Sequence, residues 1–397
     1  MMRGDRPLTV VLLLDTRTGQ FGGVESYCYD FALALGHAGH RAHVVLAGAP
    51  LPLDNPEHRE LRTHHVEASA LETVPRSEWE SLLDRIAPDV VVLAKGWFDR
   101  RNPSLDAVIA SRGCAYIIWE GHPAPAAPAG RIRRAVRLLR GGWPNYRQRV
   151  ARQRHWRRAS RVLCVSHHVR DLLVSEHGLP SSHADCIYPG IDFARYAFDP
   201  ALRLAARQGW GVPADARVVG TLGRLVRHKR TDLLLHAFAK LRQESTGGSL
   251  YCVIVDSGPE LKGLRRLAKD LNIEEHTRFV GWIEDPRIAY CGFDLFCLPS
   301  EDEGLGLVLI EAGACGCIPL AANAGGMSEV LDHLGLDLIV DDWSVESWAN
   351  RLRAHLSWDA DTRAGVQETT RSRLQKRFDA VTQWQRTIDW VEQVVRR

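Results

Sequence analysis

The chain has no long apolar run. Nothing in its 397 residues approaches the ~20 apolar residues that a membrane-spanning helix needs. The N-terminal run Leu8 to Leu14 stops at Asp15. Arg3 and Arg6 ahead of it give a signal-peptide charge order, but a first buried strand is the stronger reading. Nine cysteines are scattered without a disulfide framework, and their number is odd. They read as reduced, mostly buried thiols of a cytosolic protein. Cys315 and Cys317 stand close together, yet no second pair supplies zinc spacing, and no metal or other cofactor is expected. There is no G-x-G-x-x-G, so a dinucleotide fingerprint is unsupported. Short-period repeats and long low-complexity tracts are also missing. Acidic residues are missing from one place in particular, the stretch from Arg131 to Arg161.

That stretch holds twelve arginines, the first at 131, 133, 134 and 137. The whole chain carries +3, so without those twelve charges the remainder sums to −9. The rest of the chain is therefore acidic, around one strongly basic segment. Apolar content of 45% and charged content of 25% are ordinary for a globular protein, and the length suits two domains.

Short apolar runs alternate with longer amphipathic ones. Strands are expected at Thr9–Leu14, Ala42–Leu46, Val90–Ala94, Ala115–Trp119 and Val162–Val165. A second series is expected at Val218–Leu222, Tyr251–Val255, Thr277–Val280, Leu295–Leu298, Ile318–Ala321 and Leu336–Val340. Helices fall between them, among others Val24–Ala38, Asp232–Leu241, Leu261–Leu271 and Glu346–Leu356. Continuous Val/Ile/Leu strands with intervening helices predict parallel sheets covered on both faces, here in two doubly wound α/β domains. The boundary is expected within Tyr188–Pro200, rich in turn residues. It divides an N-terminal domain, 1–192, from a C-terminal one, 193–377. A last amphipathic helix, 378–397, carries Trp384 and Trp390 and is expected to pack back on the first domain.

Three segments carry chemistry. The most informative is EGLGLVLIE, Glu303 to Glu311, followed by AGACGCIPLAANAGG. Two glycines and then an apolar helix predict a helix N-terminus, whose amides and dipole suit a phosphate. Eight helical residues would span roughly 12 Å, about the reach from a sugar across a diphosphate to a ribose. The second segment, TLGRLVRHKR, places Arg224 and Lys229 between a strand and a helix, where two cations can clamp a diphosphate. By itself it reads more readily as a solvated basic loop, and its place at a strand's carboxyl end in a doubly wound domain raises the weight of the clamp. The third, TRTGQFGG, is a Gly-rich turn between strand and helix and is a weak signal alone.

Together these pieces resemble the retaining glycosyltransferases of family 4. The matching residues are GGVE, VLCVS, YPGIDFARY, GRLVRHKR, VIVDSGPE, FVGW and LPSEDEGLGLVLIEAGACGCIPLAANAGG, in family order along nearly the whole chain. The last motif is highly specific and the others are modest. The resemblance implies the GT-B fold, two doubly wound Rossmann-like domains facing a cleft. It implies that Arg224 and Lys229 neutralise the donor diphosphate and that Glu303 lies near the donor sugar. Glu311, the second acid of the E-x7-E pattern, would accept bonds from ribose hydroxyls. The amides of Gly304, Leu305, Gly306 and Leu307 would face sugar and phosphates. Gly22 and Gly23 match the loop across the cleft from the donor. His122, in WEGHP, matches a histidine near the reacting sugar, with Glu120 the rival polar candidate and a plain loop histidine the bland reading. Two positions depart from the pattern. Asp256 replaces the first glycine of I-V-G-x-G-P, in a turn read as structural, and Leu305 stands where Phe is common.

The implied activity is retaining transfer of a hexose from a UDP- or GDP-sugar to a hydroxyl of a glycan or lipid-linked acceptor. Cell-envelope polysaccharide, lipopolysaccharide or glycolipid synthesis is the expected setting. The arginine segment has three readings: a solvated helical face, a nucleic-acid footprint, or an anionic membrane surface or lipid-linked acceptor. Leu138, Leu139, Trp143, Tyr146 and Trp156 interleave with the arginines and favour the third. Arg131, Arg133, Arg134 and Arg137 are the expected membrane contacts of a cytoplasmic enzyme peripheral to the inner face, with no nucleic-acid partner. Neutralising them should abolish co-sedimentation with anionic vesicles, and unchanged sedimentation would sink that expectation. Two other classes compete with this reading. A paired-carboxylate glycosidase needs acids ~5–9.5 Å apart across a sugar. A non-catalytic sugar-, nucleotide- or nucleic-acid-binding protein would use only the arginine segment. The basic pair beside the two glutamates disfavours both.

Overall fold

The computed structural model describes residues 6–16, 23–48, 56–66, 68, 70–95, 103–122, 153–244 and 249–396. They divide into two compact units, one of residues 1–189 with 381–397 and one of 190–380. Each unit is built on one parallel sheet.

The first sheet has seven strands: β1 (Thr9–Thr16), β2 (Arg41–Gly48), β3 (Arg62–Val66), β4 (Val90–Lys95), β5 (Ala115–Glu120), β6 (Arg161–Cys164) and β7 (Ala184–Cys186). Their order is β3-β2-β1-β4-β5-β6-β7. Val10 to Leu14 and Val90 to Val92 are essentially inaccessible, as expected of strands covered on both faces. The edge strands β3 and β7 escaped the sequence reading. β3 is RTHHV with one fully buried residue, and β7 is three residues long, so neither has the apolar run that marks a central strand. The C-terminal helix Ala380–Arg396 lies on this unit. Trp384 packs on Tyr27 and Phe31, with ring centroids 4.2 and 5.4 Å away. The Trp390 indole donates to Asp185 at 2.8 Å.

The second sheet has six strands: β8 (Arg217–Leu222), β9 (Leu250–Val255), β10 (Thr277–Gly281), β11 (Leu295–Leu298), β12 (Ile318–Ala322) and β13 (Ile339–Val340), in the order β10-β9-β8-β11-β12-β13. β13 is shorter than the apolar run Leu336–Val340 suggests. Gly335 is left-handed and Leu338 N–H turns back to the Leu336 carbonyl, so pairing with β12 begins only at Ile339. Helices fill the crossovers, Thr231–Glu244 and Leu307–Ala314 among them.

In both sheets the strand order reverses direction at one place, between β1 and β4 in the first and between β8 and β11 in the second. Crossovers leave opposite faces of the sheet there, which opens a crevice beyond the carboxyl ends of the strands. Among the described residues no helix is long and apolar enough to cross a membrane.

Candidate active site

The switch point of the second sheet collects the charged residues. β8 ends at Leu222 and the chain continues through Gly223, with a φ of 144°, to Arg224. A short turn, Arg227–Lys229, then leads to Arg230, left-handed at a φ of 50°, and to the helix Thr231–Glu244. β11 ends at Leu298 and gives way to the loop that carries Glu303. Lys229 Nζ donates to Glu303 Oε1, and both side chains are largely but not wholly buried, at 22% and 15% exposure. The two loops are also joined by main chain, Glu301 N–H to the His228 carbonyl at 2.8 Å, and by Arg230 to Glu301 at 3.3 Å. Arg224 is exposed.

Glu303 is seated from below by glycines. Gly326 N–H donates to the Glu303 carbonyl at 2.8 Å. A Cβ on Gly325 would lie 2.2 Å from that carbonyl oxygen, and one on Gly326 would lie 2.2 Å from the Gly304 carbonyl oxygen. No side chain fits at either position, which explains the Gly-Gly that closes the long motif. Gly306 caps the helix Leu307–Ala314 with a φ of 87° and no side-chain hydrogen bond, so no side chain of the cap residue covers the first amides of the helix. Leu305 is buried.

The helix starts at Leu307, so Glu303 stands on the loop before it and only Glu311 is helical. The 12 Å estimate for eight helical residues therefore does not apply. The helical rise from Leu307 to Glu311 is about 6 Å, and the glycine loop sets the rest of the separation. Glu311 is held by Tyr290, whose hydroxyl donates to Oε2 at 2.7 Å. Burial and the neighbouring carboxylate push the Tyr290 phenol well above its ordinary range, so it stays a donor at every working pH. Tyr290 is presented by the short helix Arg287–Gly292, which Asp285 anchors at its start by accepting from the Arg287 amide at 3.0 Å and guanidinium at 2.9 Å. Sequence reasoning missed Tyr290, because nothing in a tyrosine 21 residues from a glutamate announces their bond.

A third loop joins the first two. β9 ends at Val255, and the turn beyond it binds the Arg224 loop by Leu225 N–H to the Ser257 carbonyl at 2.9 Å and Glu260 N–H to the Leu225 carbonyl at 3.1 Å. Asp256, half-buried in that turn, lies close enough to Arg224 and Lys229 for both to lower its pKa. Burial acts more strongly and raises it.

In the first unit the expected residues are arranged differently. Glu120, the last residue of β5, is buried and accepts from the Trp156 indole at 2.9 Å. His122, two residues on, is also buried. Gly23 opens the helix Gly23–His37. Gly22 and Arg131, Arg133, Arg134 and Arg137 lie outside the described residues.

Residues 203–373 match the family of glycosyl transferases group 1, and residues 21–195 match glycosyltransferase family 4. A GDP-mannose-dependent alpha-(1-6)-phosphatidylinositol monomannoside mannosyltransferase of Mycobacterium tuberculosis is 30% identical over 89% of this chain and 90% of its own length. The chain belongs to the family 4 glycosyltransferases. A D-inositol 3-phosphate glycosyltransferase of Saccharomonospora viridis is 33% identical over 64% of this chain and 59% of its own. Among solved structures, Anabaena HepE in complex with UDP and glucose superposes with a TM-score of 0.75 at 20% identity, covering 97% of this chain and 100% of that one. The two parallel-sheet units are thus the two Rossmann-like domains of a GT-B glycosyltransferase, an enzyme that transfers sugar.

Proposed function

We propose that this glycosyltransferase takes a hexose from a GDP- or UDP-sugar and passes it, with retention of anomeric configuration, to a hydroxyl of a glycan or lipid-linked acceptor. The observation that carries this reading is the convergence of Arg224, Lys229, Glu303 and the open helix start at Leu307 on the switch point of the second sheet. GDP-mannose is the first donor to test, because the mycobacterial relative is named for it. That relative's name also favours a lipid-linked polyol as acceptor.

In this reading the diphosphate gains charge as the sugar leaves, and Arg224, Lys229 and the helix amides stabilise it. Lys229 has three N–H donors, so its bond to Glu303 still leaves two for phosphate oxygens. Glu303 orients the donor sugar and is not a covalent nucleophile. Glu311, steadied by Tyr290, binds the ribose. The leaving phosphate oxygen takes the acceptor proton. His122 is assigned to the reacting sugar on the family pattern alone. A thermal-shift panel of GDP, UDP, ADP and their sugars tests the donor. The best donor is then assayed against lipid-linked acceptors, and the anomeric coupling of the product is read by NMR. Stabilisation by one nucleoside diphosphate and an α-linked product from an α-linked donor are expected. No stabilisation by any nucleotide, or an inverted product, would defeat the reading.

A further inference from the structure

Asp256 stands where the family pattern has glycine, and the backbone still has the glycine shape. Its φ is 98°, a region that strains any residue with a Cβ. Strain of this kind persists where the surrounding structure enforces it, and it concentrates at functional sites. The enforcement is visible. Asp256 N–H donates to the Gly281 carbonyl at 2.7 Å, and a Cβ on Gly258 would lie 2.3 Å from the Leu225 carbonyl oxygen. The turn is therefore pinned between the end of β10 and the loop that carries Arg224. The Asp256 carboxylate, half-buried, accepts from Ser257 N–H at 2.6 Å. The turn is bonded to Leu225, the residue after Arg224, by Leu225 N–H to the Ser257 carbonyl at 2.9 Å, which brings Arg224 and Lys229 of the β8 loop near enough to act on Asp256; Lys229 is itself bonded to Glu303. From β10, the Gly281 carbonyl accepts the Asp256 N–H.

We propose that Asp256 is a built-in competitor for the basic pair, a carboxylate that loosens the grip of Arg224 and Lys229 on the donor diphosphate. The proposal rests on the reading of that pair as the diphosphate clamp. An incoming diphosphate meets a fixed negative charge as well as two positive ones, and the three cannot be satisfied together. When the diphosphate takes the cations, the carboxylate loses the interactions that favour its ionised form, and its affinity for a proton rises. Donor binding therefore takes up a proton and strengthens as pH falls. The same competition speeds departure of the nucleoside diphosphate product.

The test is calorimetry with GDP-mannose and UDP-glucose. Their phosphates are both esterified, so neither carries the monoester proton that titrates near ~6. Asp256→Asn keeps the oxygen that accepts from Ser257 and removes the charge, while Asp256→Gly also relaxes the backbone. Both should bind the better probe about tenfold more tightly than the unaltered enzyme at a pH of about 7.5. Both should also lose the tightening that the unaltered enzyme shows on acidification, and lower KM together with kcat. A purely structural Asp256 would leave the pH profile of the Asn variant unchanged. If neither variant binds more tightly while Lys229→Ala loses the probe, the clamp stands and this proposal falls. If Lys229→Ala binds as the unaltered enzyme does, the clamp reading falls and takes the proposal with it. Should the Asn variant fail to fold, the Gly variant alone decides, because glycine is at ease at this φ.

Discussion

The carboxyl edges of the two sheets use the same residue types in opposite ways. In the first unit Glu120 is buried and bound to an indole, and His122 is buried beside it. In the second, Lys229, Glu303 and Asp256 are half-buried and Arg224 is exposed, on three loops joined to one another by main-chain bonds. A fully buried carboxylate with a neutral donor is a structural element, costly to disturb and closed to ligand. Partly exposed charges on pinned loops are preorganised and still reachable, which is the condition for electrostatic stabilisation of a leaving group. The same α/β architecture thus holds a buried carboxylate at the end of β5 in one unit and partly exposed ones on the loops of the other.

This comparison breaks most sharply at Lys229. Lys229→Ala should lower turnover by about 10²–10³-fold, the usual cost of one preorganised donor, with little change in thermal unfolding. Activity near that of the unaltered enzyme would place Lys229 with the structural residues. Glu120→Ala is the reciprocal case. It removes the acceptor of the buried Trp156 indole and should cost about 1–3 kcal/mol in denaturant unfolding. Nucleotide affinity should not change, and a selective loss of affinity with intact stability would reverse the assignment. Tyr290→Phe sharpens the picture inside the second unit. Loss of its hydroxyl frees Glu311 from one restraint and should weaken nucleoside diphosphate binding by about tenfold, the worth of one hydrogen bond to a charged group. Equal weakening for ribose and deoxyribose nucleotides would separate Glu311 from the ribose.

The smallest effect is a pH dependence of the first unit. His43 and His64 face each other on β2 and β3, with ring nitrogens 2.9 Å apart. Burial first, then His64 and the arginines at 62 and 41, pull His43 from 6.5 down to about 4. A folded pKa below the unfolded one means that the unfolded chain binds the proton more readily. The contribution to stability is complete above pH 6.5 and is lost as pH falls toward about 4. The ring is partly exposed, so solvent screening keeps the effect small. Melting curves should show His43→Gln flatter than the unaltered protein between those limits, and identical slopes would remove the histidine pair from the account.

The sequence reading reached the central strands and the donor motif because both are local signals. Continuous apolar runs mark β1, β4, β8 and β11, and glycines beside glutamates mark the loop after β11. Edge strands β3 and β7 lack such runs, since each is paired on one side only and contributes a single buried residue, Val66 and Ala184, among partly exposed ones. Contacts between distant residues were hidden for a different reason. Tyr290 with Glu311, Trp156 with Glu120, and the Ser257 turn with Leu225 arise from the order of strands in the sheets, which a one-dimensional motif does not encode. The helical spacing assumed between Glu303 and Glu311 failed because Gly306 delays the helix until Leu307.

The most direct test of the account compares a nucleoside diphosphate with its monophosphate, GDP against GMP and UDP against UMP, by calorimetry on the unaltered enzyme and on Lys229→Ala. Only the diphosphate reaches across both cations of the β8 loop in this account. The unaltered enzyme should prefer the diphosphate of the matching base by at least about tenfold, one charge-assisted bond in magnitude. Lys229→Ala should bind both nucleotides alike. An undiminished preference in Lys229→Ala would contradict the assignment of the diphosphate to the switch point of the second sheet.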